Sequence, residues 1–173
     1  YTELLEKAVK AQRSGQPLDI DALPQDVGAE VDLQCPALIP DAYIPDVHSR
    51  LVIYKRIANA QSDEDLWSLQ VELIDRFGLL PDQTKTLFAV TRLKLKSAVL
   101  GVKRIEAGPE GGRLLFHPNP SVDPIQIIGL IQQQGRMYRL DGPDKLRFVV
   151  KLDSSVQRVE FLEKLLDQLG EPV

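Results

Sequence analysis

Between Ser62 and Pro81 the chain reads SDEDLWSLQVELIDRFGLLP, a helix that carries its own start and stop. Ser62 can offer its hydroxyl to an unpaired backbone N–H of the first turn. Asp65, three residues on, stands where a capping box places its back-bonding acid. Asp63, Glu64 and Asp65 suit the positive end of the helix dipole. Gly78 is free to take φ > 0, so it is the expected stop, with Leu79 beyond it set to touch Ile74. At about 100° per residue, Leu66, Leu69, Leu73, Ile74 and Phe77 share one side, and Ser68, Glu72, Asp75 and Arg76 the other. A helix with one such face needs a partner to cover it, which requires a packed, layered fold. Trp67 lies at the edge of the apolar side, as core residue or as interface anchor.

The polar side holds an oddity. Asp75 falls in the last turn, where the dipole disfavours an anion, and with Glu72 it makes an acidic i, i+3 pair. Two readings fit these residues: a solvated face softened by Arg76, or a docking surface for a basic partner.

The 173 residues suffice for one ordinary domain and are few for two. At 43% hydrophobic and 27% charged the composition is that of a soluble globular protein. No apolar run has membrane-spanning length and no signal peptide is visible. The chain begins at Tyr1 inside a helical pattern, which leads us to expect a cut from a longer protein. The net charge is −4, and residues 101–173 carry ten basic and ten acidic side chains, so the surplus typical of a nucleic-acid-binding domain is missing. The single cysteine, Cys35, allows no internal disulfide, fits a reducing cytoplasm and is expected as a small core residue.

Along the chain, residues 1–14 read as an amphipathic helix ended by Gly15, and 15–29 as an irregular surface segment. Val31, Leu33 and Cys35 alternate with polar residues, predicting a short strand over 31–35 that Pro36 limits. A proline-stiffened loop follows. A second helix is expected from Pro45 or Asp46 to Ala60, with Val47, Leu51, Tyr54 and Ala58 in its stripe and Lys55 and Arg56 on a solvated or ion-paired face. Its short joint to the helix at 62–78 predicts an αα-hairpin. A third helix should run from Pro81 to Leu100, with Leu87, Phe88, Leu95 and Val99 inward and Lys85, Arg92 and Lys96 opposite. That stripe reads first as a solvated face and second as a basic contact surface.

After Gly101 the period changes to that of strands. VKRIEA and GRLLFH flank GPEGG, and MYRL and KLRFVV flank DGPD, predicting two hairpins. Helices at 123–134 and from Ser154 or Ser155 complete a ββαββα order. The expected fold class is therefore α+β: N-terminal helices packed on a small, mainly antiparallel sheet, to which the early strand can add.

Catalytic patterns are missing. His48 and His117 stand apart from any ligand-like spacing, GPEGG lacks the lysine and following helix of a phosphate loop, and no G-x-S-x-G or dinucleotide fingerprint occurs. Glu72 and Asp75 project from one exposed face, with no enclosure to separate two pKa values for acid–base work.

PALIPDAYIPDVHSRLVIYKRIANA at 36–60, followed by VELIDRFGLLP at 71–81, resembles the C-terminal domain of bacterial transcription-repair coupling factor. YTELLEKAV, IEAGPEGGRLLF and YRLDGPDKLRF extend the resemblance over nearly the whole chain. It implies a parent that binds stalled RNA polymerase, moves on double-stranded DNA with a helicase-like ATPase and recruits excision repair through UvrA. It implies for this chain a connector helix at 1–15 and a non-catalytic regulatory domain at 16–173, without cofactor or metal. That domain would pack on the N-terminal UvrB-like module and mask its UvrA-binding surface. Glu72 and Asp75 would then meet basic residues of that module, with Arg76 and Ser68 in the same interface, and the docking reading of the helix gains weight. The alternatives are a structural cap on the translocase and a DNA-contacting module using Lys85, Arg92 and Lys96 with Lys103 and Arg104.

Overall fold

The computed structural model describes residues 29–118 and 120–170, so the expected helix at 1–14 lies outside the described residues. The elements are strand β1 (Glu30–Asp32), helices α1 (Val47–Ala58), α2 (Asp63–Phe77) and α3 (Asp82–Leu100), strands β2 (Val102–Gly108) and β3 (Gly111–Phe116), helix α4 (Pro124–Gln133), strands β4 (Tyr138–Leu140) and β5 (Lys145–Val149), and helix α5 (Ser155–Gly170). This is the expected α+β class. The described residues fall into two compact units, one holding 39–81 and the other 29–38 with 82–170.

The second unit is built on a five-stranded sheet in the order β1-β2-β3-β5-β4. β2, β3, β5 and β4 pair antiparallel, as two hairpins should. β1 joins β2 in parallel. That makes the sheet mixed, and the cause is connectivity: residues 33–101 return the chain to the sheet through α3, the kind of helical crossover a parallel pair needs. β1 is also shorter than expected. Asp32 Oδ1 accepts from the Gln34 N–H at 3.0 Å, and Gln34 takes φ +54°, turning the chain before the rest of the alternating run can pair.

One face of the sheet supplies Ile105, Leu114, Leu146 and Phe148 to the core, all essentially without solvent contact. Against them lie Val90, Leu93 and Leu100 of α3 and Leu162, Leu165, Leu166 and Leu169 of α5. The inner phase of α3 therefore differs from the sequence expectation. Phe88 is buried, but Val99 is 75% exposed and Leu93 takes the central place. Apolar residues occur around most of α3, so its own periodicity does not choose the phase; the sheet does. Arg158 of α5 is buried, with Nε donating to Leu152 O at 3.0 Å and Nη1 to Leu33 O at 2.8 Å, which ties the last helix to the end of β1. Cys35 is half-buried against this core, and desolvation pushes its thiol pKa up.

In the first unit α1 and α2 form the expected hairpin. Ile53 and Ile57 of α1 and Leu66, Leu69 and Leu73 of α2 are buried. Val47, expected in the stripe, is exposed at the first position of its helix.

Candidate interaction surface

The start of α2 forms as its sequence dictates. Ser62 Oγ accepts from the Asp65 N–H at 3.2 Å, and Asp65 Oδ2 accepts from the Gln61 N–H at 2.9 Å. The stop differs. Gly78 takes φ +95°, ψ −168°, a region essentially reserved for glycine, rather than the left-handed helical turn. The chain leaves instead of folding back, so Leu79 stands 86% exposed and does not cover Ile74. Tyr43 pins this end from outside. Its hydroxyl lies 2.7 Å from Gly78 O and 3.2 Å from Leu73 O, able to donate to either, and its ring tilts against Phe77 at 5.8 Å.

The polar side of α2 splits into two parts. Glu72 is held: Arg56 of α1 donates Nη1 to Oε2 at 2.5 Å and Nη2 to Oε1 at 2.9 Å, and Arg76 adds a contact at 3.4 Å. The two hydrogen bonds from Arg56 are the first cause holding the Glu72 carboxyl below its ordinary pKa; Arg76 contributes less. The Arg76 guanidinium also sits 4.8 Å from the centroid of Phe77. Ser68 and Glu72 line an open depression of about 390 Å³ with Arg56, Asn59 and Asp65. Asp75 is exposed and has no side-chain partner among the described residues.

Beside Asp75 runs an apolar strip that helix counting placed only in part. Trp67 is 66% exposed, Val71 47% and Ile74 42%, at spacings of four and three that put them on one side of α2. Ile74 was expected inward. It lies at the far edge of the apolar arc, away from the buried side of Leu69 and Leu73. Trp67 is thereby excluded from the core. The signal for this strip was present: Trp67, Val71 and Ile74 cluster on a helical wheel next to Glu64 and Asp75.

The basic stripe of α3 is largely committed. Arg92 pairs with Glu163 at 3.1 Å and Lys96 with Asp167 at 2.8 Å, a ladder from α3 to α5. Lys85 is exposed without an ion pair among the described residues. Arg104 is engaged by Glu30 and Glu106, while Lys103 stays exposed. Among the described residues no group of three or more His, Cys, Asp or Glu could hold a metal, and no helix is long and apolar enough to cross a membrane.

Residues 33–127 match the family model described as the TRCF domain. The transcription-repair-coupling factor of Escherichia coli is 42% identical over 171 residues, which is 99% of this chain and 15% of that protein. That of Haemophilus influenzae is 47% identical over 166 residues, 96% of this chain and 14% of that protein. The crystal structure of a C-terminal domain of transcription-repair coupling factor superposes with a TM-score of 0.67 at 27% identity, covering 82% of this chain and 94% of that one. The chain thus spans about 15% of the length of the curated relatives it matches.

Proposed function

Because the chain belongs to the TRCF domain family, we propose that it is the non-catalytic regulatory domain of a transcription-repair coupling factor and works as an autoinhibitory clamp. In this reading residues 1–15 connect it to an upstream translocase module that acts on double-stranded DNA and stalled RNA polymerase. The outward face of α2 closes on the N-terminal UvrB-like module and masks the surface that UvrA would bind. The observation that carries the reading is Asp75, an exposed acid at the wrong end of a helix dipole with no partner among the described residues. A basic surface across from it would offset that local cost.

The magnitudes suit a switch. An exposed charge pair contributes about 0.2–1 kcal/mol. A few such pairs in a tethered domain bias a two-state equilibrium and still release when polymerase and DNA favour the open form. Glu72 enters this reading as the anchor that fixes α2 to Arg56, and Arg76 and Ser68 as flanking contacts.

The test is UvrA binding to the parent protein without polymerase or DNA. Asp75→Lys should raise the affinity by about 2- to 10-fold, from reversal of one exposed pair. Glu72→Gln is the control that loosens α2 from α1 without reversing charge. If removal of the whole domain leaves UvrA binding unchanged, the clamp is wrong and the domain is a structural cap. For a DNA-contacting role the α3 stripe leaves Lys85, since Arg92 and Lys96 are paired within the domain.

A further inference from the structure

The solvent face of the sheet carries a row of like charges that no part of the clamp reading uses. Arg113 of β3 stands directly across from Arg147 of β5, and Arg147 directly across from Arg139 of β4. Residues opposite each other point to the same side, with Cβ atoms about 4.5–5.5 Å apart. The alternate residues Leu114, Leu146, Phe148 and Tyr138 fill the core, so all three arginines face water. Like charges directly opposite destabilise a sheet, and a guanidinium cannot shed its proton. The row continues across the sheet as Glu106, which binds Arg113 and Arg104 and is thereby used up. Arg139 and Arg147 have no side-chain partner among the described residues.

A concavity of about 460 Å³ opens beside the row. Arg113 and Arg147 stand on its wall, and its floor is the bare backbone of Gly108, Gly111 and Gly112. The floor has no room for side chains of its own. A Cβ on Gly112 would lie 1.8 Å from Glu106 O, and one on Gly111 2.2 Å from Phe148 O. Exposed Val149 adds an apolar wall.

We propose that this arginine row and its glycine-floored concavity form a docking surface for an acidic protein segment, whose carboxylates pair with Arg147 and Arg139. Charge complementarity calls for an acidic partner, since Arg139 and Arg147 lack an acid among the described residues and a guanidinium fork can take a carboxylate in bidentate geometry. The concavity also holds Glu110 and Asp141. These would repel a continuous phosphate chain, whereas a peptide can place its acids between them. The solvent side of these strands carries no aromatic residue for bases to stack on. The proposal stands apart from the α2 clamp and neither needs the other.

The experiment titrates this 173-residue chain with a fluorescein-labelled peptide in which glutamate and serine alternate, at low salt, beside a labelled DNA duplex. Arg139→Gln with Arg147→Gln should weaken peptide binding by at least about tenfold, as loss of two charge-assisted contacts implies. The same double variant should melt up to about 3 °C higher, because it removes the cross-strand repulsion. Restoring charge with Lys at both positions should recover part of the binding. Absence of peptide binding, equal binding by the Gln variant, or preference for the duplex would each overturn the proposal, the last in favour of a nucleic-acid surface.

Discussion

At the scale of single residues, Glu72 shows how a charge can be committed before any partner arrives. Its two oxygens receive both terminal nitrogens of Arg56, sixteen residues earlier on the neighbouring helix. The carboxyl pKa is depressed from its ordinary value of 4.5. A depressed acid contributes stability above its unfolded-state pKa and loses it as pH falls through the lower folded value. A double-mutant cycle with Arg56→Met and Glu72→Gln, read by urea unfolding, should therefore give a coupling of about 0.3–1 kcal/mol at pH 7. That coupling should fade as the pH falls through the lowered folded-state pKa of Glu72. A coupling that persisted in acid would instead reflect packing of the arginine stem. The helical period puts Glu72 and Asp75 on one side of α2 but does not say which of them is paired. Arg56 and Glu72 meet through the crossing of two helices, and Arg92 and Lys96 meet acids some seventy residues away. Neither geometry is encoded by local spacing.

At the scale of elements, α2 was legible because its signals are local. Ser62, Asp65 and Gly78 act within one turn of themselves, and the hydrophobic period names Leu66, Leu69 and Leu73 as core. Gly78 allows a clean test of its conformation. A Cβ there meets nothing within 4 Å, so Gly78→Ala carries a backbone cost alone. We expect a loss of about 1–3 kcal/mol in urea unfolding, the usual strain of a non-glycine residue in that region. A loss below about 0.5 kcal/mol would show that the chain relaxes into the ordinary left-handed cap. What the sequence left open at this scale is tertiary. The parallel pairing of β1, the rotation of α3 that buries Leu93 and exposes Val99, and the burial of Arg158 each depend on what the sheet presents. The arginine row is of the same kind: alternation assigns each arginine to the solvent face, but only strand register lines up Arg113, Arg147 and Arg139.

At the scale of the whole molecule, the chain leaves the sheet unit after Leu38 and re-enters it at Asp82. The two passages are joined where they meet. The Leu38 N–H donates to Gln83 O at 3.1 Å, and Thr84 Oγ1, fully buried, donates to Leu38 O at 3.1 Å. The helical hairpin is thus an excursion whose ends are already closed by the other unit. Replacing residues 40–80 by a short Gly-Ser linker should leave a sheet unit that still unfolds in one cooperative urea transition, since loop length costs little once the ends are held. A broad, non-cooperative transition would mean that the sheet unit depends on the excised hairpin.

The same closure has a mechanical meaning. A pull on either passage is carried by two neighbouring backbone points, Leu38 and Gln83, rather than by one loose end. Strand β1 and helix α3 then share the load, so β1, only three residues long and at the sheet edge, is not peeled away by itself. So short a strand at a sheet edge is thereby held by its tie to α3 as well as by its own ladder.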